Sequence, residues 1–450
     1  MKQKQALDIL KSGESVFLTG PAGSGKTFLL TQYIKYLRDN NIAVAVTAST
    51  GIAATHLGGR TIHSWCGMGI EDELLIDKIN ALKKKNYLFR SVAFTKVLII
   101  DEISMLNAKQ LDLIDWICRT FKEDMRPFGG MQVVFCGDFF QLPPVKRGGK
   151  DGRFVTESHI WNNMDIRVCY LEEQHRQSDK KFLQLLGDIR KNEVTEKTIK
   201  ILEKRLGKTV KSEIKPTKLH THNIDVEDYN FQELDKLKTK EISYEMEAEG
   251  VDNLVERLRK GYCLAPQNLT LKIGAVVMFV KNNFNKGFVN GTLGKVVDFD
   301  EENDNYPVVR TFDGNLITAY PEQWVVEDGK EVIASVRQVP LRLAWAITVH
   351  KSQGMSLDAA EIDLRKTFEF GMGYVALSRV RSLAGMSLVG FNEMALRAKE
   401  EVIILDRELL AKSEEDEKDY LKMDKKNLVK TQKDFLEKNG GEKYVGGLFG

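Results

Sequence analysis

Val16-Phe17-Leu18-Thr19-Gly20-Pro21-Ala22-Gly23-Ser24-Gly25-Lys26-Thr27 is the stretch on which the fold turns. Four strand-forming residues run into a loop with three glycines, and a helical pattern from Phe28 to Leu37 follows. Gly20 to Thr27 fits GxxxxGK[ST], with strand, loop and helix in the order that pattern requires. Glycines let successive backbone N–H groups turn inward around a β-phosphate, and the helix N-terminus adds partial positive charge. Pro21, Ala22, Gly23, Ser24 and Gly25 therefore form the cradle. Lys26 sets a point charge against the β- and γ-phosphates, and Thr27 offers a hydroxyl to Mg²⁺. The implied ligand is ATP.

Working outward, the same strand type recurs at Ala43–Thr47, Val97–Ile100, Val133–Cys136 and Val168–Leu171, with helical patterns between. That alternation predicts an α/β domain with a parallel sheet, whose sites lie at the carboxyl ends of the strands. Gly20, Ser49, Asp101, Asp138 and Glu172 occupy those ends. Asp101 suits the Mg²⁺ shell, and Glu102 can orient or deprotonate an attacking water. In Gly137-Asp138-Phe139-Phe140-Gln141-Leu142-Pro143-Pro144-Val145, the neutral Gln141 can sense a γ-phosphate without competing for the metal.

Two loops suit a phosphate backbone read without sequence code. One carries Thr47, Ser49, Thr50 and Gly51, followed by His63 and Ser64; the other is Thr348-Val349-His350-Lys351-Ser352-Gln353-Gly354. Helix capping explains the first loop's hydroxyls equally well, and His63 alone reads as a packed or surface histidine. Gly354 allows close approach to a nucleotide.

The 450 residues exceed one core and point to several domains. A net charge of +2 means that any basic nucleic-acid surface is local. Cys66, Cys118, Cys136, Cys169 and Cys263 have neither CxxC nor finger spacing, which argues against a structural metal and fits a reducing cytoplasm. No signal-peptide core follows Met1, and no apolar run reaches membrane length.

Glu71–Arg90 reads as an insertion, with Leu75, Ile79 and Leu82 at helical spacing before Lys83-Lys84-Lys85; it is either a solvated helix end or a small subdomain touching a nucleic-acid backbone. Asp179 to Lys238 reads as helical and charged. Leu264 to Arg337, punctuated by glycines, reads as a small barrel, and α/β texture resumes at Val339. From Ala411, nine lysines balance nine acids, and the tail reads as a loosely packed or disordered helix with a Gly-rich end. Trp65, Phe284 and Phe288 are candidates to stack on bases; Trp116 and Trp345 read as core.

Taken together the motifs resemble those of the petite-integration-frequency (Pif) helicases of superfamily 1, subgroup B. The resemblance rests on Thr47–Ala54, Thr61–Ser64, Asp101–Met105, Pro127–Gly130, Gly137–Val145, Glu173–Gln177, Val289–Thr292, Ile347–Gly354 and Gly373–Val380. A related nuclease-complex helicase subunit more often has threonine where this chain has Ser378. The resemblance implies two RecA-like P-loop NTPase domains with a wedge insertion and an SH3-like barrel. Motor domain 1A is expected at 1–176 with wedge 1B at about 66–90, domain 2A at 177–238 and 338–408, subdomain 2B at 239–337, and a charged tail at 409–450.

The resemblance also implies roles. Gln3 recognises adenine, with Gln5 as the alternative. Arg176 and Arg379 reach the γ-phosphate from the second domain, where a guanidinium matches phosphate geometry. Thr47, Ser49, Thr50, Gly51, His63, Ser64, Pro144, Thr348, His350, Lys351 and Ser352 contact DNA. The implied activity is ATP-dependent 5′→3′ movement on single-stranded DNA, unwinding duplex, quadruplex or RNA–DNA hybrid for replication, repair, recombination or telomere maintenance. The partners are single strands and single/double-strand junctions, bound by a monomer or by a dimer on DNA. An RNA helicase of the same superfamily and a P-loop ATPase acting on a protein partner are the alternatives.

Overall fold

The computed structural model describes residues 1–69, 76–144, 153–174, 179–210, 216–222, 224–261, 263–288, 290–311, 314–328 and 331–440. The chain divides into two compact units. One comprises Met1–Arg176, Glu327–Glu331 and Glu400–Gly450; the other comprises Gln177–Val326 and Val332–Lys399.

The first unit contains α1 (Gln3–Lys11), β1 (Val16–Thr19), α2 (Lys26–Asp39), β2 (Val44–Ala48), α3 (Gly51–His56), β3 (Arg60–Thr61) and α4 (Ile62–Trp65). It continues with α5 (Ile76–Lys83), α6 (Asn86–Ala93), β4 (Val97–Asp101), α7 (Ala108–Lys122), β5 (Gln132–Cys136), α8 (His159–Asn163) and β6 (Arg167–Tyr170). Its strands are all parallel, in the order β3-β2-β4-β5-β1-β6. Helices cover parallel sheets on both faces, so β1, β4 and β5 are buried at every position and read as unbroken apolar runs. The expected insertion is two helices: Ile79 of α5 is buried, and Lys83 pairs with Glu123 at 2.7 Å. Residues 70–75, with Leu75, lie outside the described residues.

The second unit contains α9 (Lys180–Lys191), α10 (Glu196–Glu203), β7 (Thr217–His220), α11 (Ile224–Asp235), β8 (Glu241–Glu245), β9 (Glu247–Gly250), α12 (Asp252–Gly261), β10 (Asn268–Lys272) and β11 (Val276–Phe279). It continues with β12 (Leu293–Asp300), β13 (Tyr306–Thr311), β14 (Leu316–Thr318), β15 (Glu322–Asp328), β16 (Glu331–Gln338) and β17 (Leu341–Leu343). Then come β18 (Ala346–Thr348), β19 (Ala360–Leu364), α13 (Met372–Ser378) and β20 (Met386–Phe391). A second parallel sheet runs β18-β7-β19-β20. The stretch read as helical thus hides an interior strand, β7, whose burial alternates through Thr217-Lys218-Leu219-His220. A four-residue alternation amid charged helices gives too little apolar signal to register.

The glycine-punctuated region, joined by β8, β9 and β17 from its flanks, forms three sheets, β14-β13-β12-β11-β17, β15-β16-β9 and β10-β8. Leu269 and Leu271 of β10 share one core with Val277, Phe279, Val296 and Val309. Because β17 pairs with β11, the α/β texture resumes at Ala346 rather than Val339.

Three aromatic expectations are corrected. Trp65 is fully buried, and Phe288 is buried against Phe279 with ring centroids 4.2 Å apart, so neither can stack on a base. Trp116 is 41% exposed, not core, because it lies on the outer face of α7. Trp345 joins the core of the second unit as expected. The Phe284 side chain lies outside the described residues.

The tail is also corrected. It forms α14 (Glu400–Lys422) and α15 (Lys425–Asn439), packed on the first unit; residues 441–450 lie outside the described residues. Asp416 accepts from the Val168 N–H (2.8 Å) and from Arg167 (2.9 Å), and Ser413 accepts from the Tyr170 N–H (3.0 Å). Strand β6 is a sheet edge, and these side chains satisfy N–H groups that an edge leaves open. Tyr420 donates to the Asp8 carboxylate (2.9 Å), and Phe435 packs against the core. Balanced charge disguised a helix that docks through a few polar and aromatic residues.

Candidate active site and strand-binding loops

The loop after β1 has the backbone its glycines permit: φ is +136° at Gly20, +87° at Gly23 and +84° at Gly25. A Cβ on Gly20 would stand 2.3 Å from the Leu171 carbonyl oxygen, so only glycine fits. Gly25 caps α2, and Lys26 and Thr27 begin its first turn. The Lys26 ammonium donates to the carbonyls of Gly20 (2.7 Å) and Pro21 (3.1 Å), inside the loop it serves. Pro21 and Gly23 are half-buried, Ala22 and Ser24 are buried, and Ser24 Oγ has no hydrogen-bond partner. Thr27 is exposed.

Gln3 and Gln5 separate cleanly. The Gln3 amide donates to the Ser24 carbonyl (3.3 Å), which places it at the loop. Gln5 accepts from the Lys2 N–H (2.9 Å) and is used in starting α1.

Asp101 closes β4 and is 7% exposed. Burial lifts its carboxyl above the ordinary carboxylate range, while hydrogen bonds from Cys136 and the Glu102 N–H, and the Lys26 charge, pull the other way. A hydroxyl and a carboxylate are hard oxygen donors of the kind Mg²⁺ takes, and a cation beside Asp101 would favour its charged form. Thr27 and Asp101 therefore fit the ion. Glu102 is held at φ 51°, ψ 44°, left-handed space that non-glycine residues occupy at a cost of about 1–3 kcal/mol.

Gln141 is set by a turn after β5. The Asp138 carboxylate accepts from the Phe140 N–H (3.2 Å), and the Asp138 carbonyl accepts from the Gln141 N–H (3.0 Å). Phe139 anchors that turn against Phe17 of β1, with centroids 5.5 Å apart. Such pairs add about 0.5–1.5 kcal/mol beyond area burial. The Gln141 amide oxygen is buried without a hydrogen-bond partner, a vacancy a donor would relieve by about 1–3 kcal/mol.

The strand-binding candidates fare unevenly. Thr47 is fully buried and donates to the Ile99 carbonyl (2.6 Å), and Ser49 donates to the Glu102 carbonyl (2.8 Å). Each hydroxyl has one hydrogen and has spent it, so neither can donate to a phosphate. Thr50 accepts from the Ala53 N–H (3.2 Å) as the cap of α3 and keeps its own hydrogen for a phosphate. Gly51 is half-buried at the start of α3, and Pro144 is buried after the Gln141 turn. His63 and Ser64 are half-buried on α4, whose cap is Thr61.

In the second unit, Thr348 is buried and accepts from the Lys351 N–H (3.2 Å), and buried Ser352 donates to the Val349 carbonyl (2.7 Å). Ser352 is therefore a turn former, not a phosphate donor. His350 and Lys351 are half-buried, and Gly354 has φ +78°. Burial holds the His350 imidazole below its ordinary range, hence neutral near pH 7. Lys351 is also lowered, by burial and then by the charge of Arg342.

Arg342 escaped the sequence reading. It sits in β17 with its Nε buried and without a hydrogen-bond partner. The signal available was a cation between Leu341 and Leu343 just ahead of the loop. Arg379 is 1% exposed; its guanidinium donates to the Val375 carbonyl (2.9 Å), Ser378 Oγ (2.9 Å) and the Met355 carbonyl (3.5 Å). Arg176 lies outside the described residues.

A glycine cradle with its lysine, two acids at the next strand but one and a glutamine at the strand between make the first unit a P-loop nucleoside triphosphatase. Comparison with known proteins narrows the class. The PIF1-like helicase family matches residues 2–213, and the DNA helicase Pif1 2B domain matches residues 254–299. The ATP-dependent DNA helicase Pif1 of Psychrobacter sp. (strain PRwf-1) is 44% identical, over 88% of this chain and 69% of that protein. The chain spans 61–63% of the length of five vertebrate relatives.

Among solved structures, Bacteroides sp. Pif1 in complex with ADP-AlF4 superposes with a TM-score of 0.76 at 32% identity, covering 91% of this chain and 96% of that one. Bacteroides Pif1 bound to ssDNA gives 0.64 at 31%, covering 92% and 98%. The chain belongs to the PIF1-like helicase family. It is an ATP-dependent DNA helicase. Among the described residues, no helix is long and apolar enough to cross a membrane.

Proposed function

We propose that this chain converts ATP hydrolysis into 5′→3′ stepping along single-stranded DNA and opens duplex at single/double-strand junctions in the cytoplasm. The observation that carries the reading is the hydrogen bond from the strand-facing loop to the catalytic acid, Ser49 Oγ to the Glu102 carbonyl at 2.8 Å. A phosphate engine and a track-gripping loop thus meet at the carboxyl ends of two neighbouring strands, β2 and β4. The polarity follows from the family, and the ssDNA complex of the Bacteroides relative supports the track.

In this reading Gln3 holds the adenine edge and the residues from Pro21 to Lys26 hold the phosphates. Thr27 and Asp101 hold Mg²⁺, which when bound neutralises charge on the β- and γ-oxygens. Glu102 takes the proton of the attacking water, and Gln141 donates to the γ-phosphate. Arg176, at the end of the first motor domain, and Arg379, in the second, supply guanidinium charge to the γ-phosphate, and Gly354 allows close approach to the nucleotide. Thr50, Gly51, His63, Ser64, Pro144, Thr348, His350 and Lys351 line the path of the strand; Thr348 does so by shaping the loop. The motor domains are 1–176 and 177–238 with 338–408. The insertion at about 66–90 splits the duplex, and 239–337 lies beside the strand.

Strand displacement on matched duplexes tests this: a 5′-tailed duplex should open with ATP and a 3′-tailed one should not. Opening of the 3′-tailed duplex alone would refute the polarity, and opening of neither would refute the reading.

Lys351→Ala should weaken oligo-dT binding and lower the slope of log K against log salt by about one unit, since one phosphate contact is lost. His350→Ala should weaken binding but leave that slope nearly unchanged, because the imidazole is neutral near pH 7. Fluorescence anisotropy across a salt series measures both.

A further inference from the structure

We propose that Ser49 is the positioning residue through which a bound strand raises the hydrolysis rate. The inference rests on the reading of Glu102 as the base and of the loop after β2 as strand-facing. The sequence offered Ser49 as a phosphate donor. The structure gives its hydrogen to the Glu102 carbonyl (2.8 Å), and its backbone N–H donates to the Asp101 carbonyl (3.1 Å). One residue therefore grips the backbone of both acids.

Glu102 needs that grip. Its left-handed conformation, φ 51° and ψ 44°, persists only where neighbours over-determine it. The same carbonyl also accepts from the Met105 N–H (3.1 Å); when Ser49 lets go, that one bond is left to hold the peptide, which can tilt about it and turn the Glu102 carboxylate with it. The flanking hydroxyls have other partners than Glu102: Thr47 ties β2 to β4 through the Ile99 carbonyl, and Thr50 accepts from the Ala53 N–H as the cap of α3. Ser49 is thus the point where the loop and the acid share a bond. A strand seated on Thr50 and Gly51 fixes the loop, the loop fixes Ser49, and Ser49 fixes the direction of Glu102.

The test compares the unsubstituted chain, Ser49→Ala and Ser49→Thr, measuring ATPase rates at saturating oligo-dT and oligo-dT binding by anisotropy. Ser49→Ala should lower the strand-stimulated kcat about tenfold, equivalent to about 1.4 kcal/mol. It should change the oligo-dT Kd by less than about twofold, because no phosphate contact is lost. Ser49→Thr keeps the hydroxyl and should restore the rate. Stimulation that survives Ser49→Ala sinks the inference alone. So does a weakened Kd with kcat intact at saturating strand, which would make Ser49 a phosphate ligand after all. If the unsubstituted chain ignores oligo-dT, the proposed function falls as well.

Discussion

Lys26→Ala is expected to reduce ATP turnover about a thousandfold or more, to the background of the assay, at any concentration of single strand. The geometry leaves no substitute. The ammonium is held by the Gly20 and Pro21 carbonyls within the loop, and no other lysine belongs to that loop. The charge it brings sits in a half-buried loop, so its loss is felt more strongly than that of a fully exposed charge. Lys26→Arg should fail nearly as badly, since a planar guanidinium cannot fill a seat shaped for a compact ammonium. Steady-state ATPase with and without oligo-dT measures the loss, and a thermal melt checks that the core cluster around β1 and α2 survives. Lys26 contributes little to that core, so the melt should shift by only a few degrees. Turnover within tenfold of the unsubstituted chain would remove Lys26 from the site.

The part of this molecule that the sequence disclosed is the part where one residue type is dictated by chemistry. Gly20 must be glycine because the Leu171 carbonyl occupies the space of a Cβ, and Lys26, Asp101 and Gln141 follow or close strands buried at every position. Such signals are local, and they placed five strands to within a residue.

What escaped notice is set by partners far away in the chain. Nothing in Thr47 or Ser49 says whether its single hydrogen goes to a phosphate or to a carbonyl in or just after β4; that depends on β2 lying beside β4. Ser352 is the same case, turned inward by its own loop. The tail misled because a charge count cannot see that Asp416 and Ser413 face the open N–H groups of β6. β7 was lost because half of its four residues are only partly buried.

Glu102→Gln should leave ATP affinity within about threefold and cut hydrolysis by about 10²–10⁴, the usual range for a removed general base. The substitution is nearly isosteric and keeps the backbone requirement: glutamine pays the same steric penalty at φ 51° as glutamate, so neither side gains from relaxing. What changes is the ability to accept a proton. The neighbours cannot replace it. Gln141 is neutral, and the Asp101 carboxylate is tied to the Glu102 N–H (2.8 Å) and to Cys136. Single-turnover hydrolysis separates chemistry from release, and a fluorescent ATP analogue reports affinity. Loss of affinity together with rate would mean that Glu102 helps to hold the nucleotide. Normal turnover would mean that the water is activated elsewhere, and the left-handed backbone at Glu102, with Ser49 holding it, would then need another explanation.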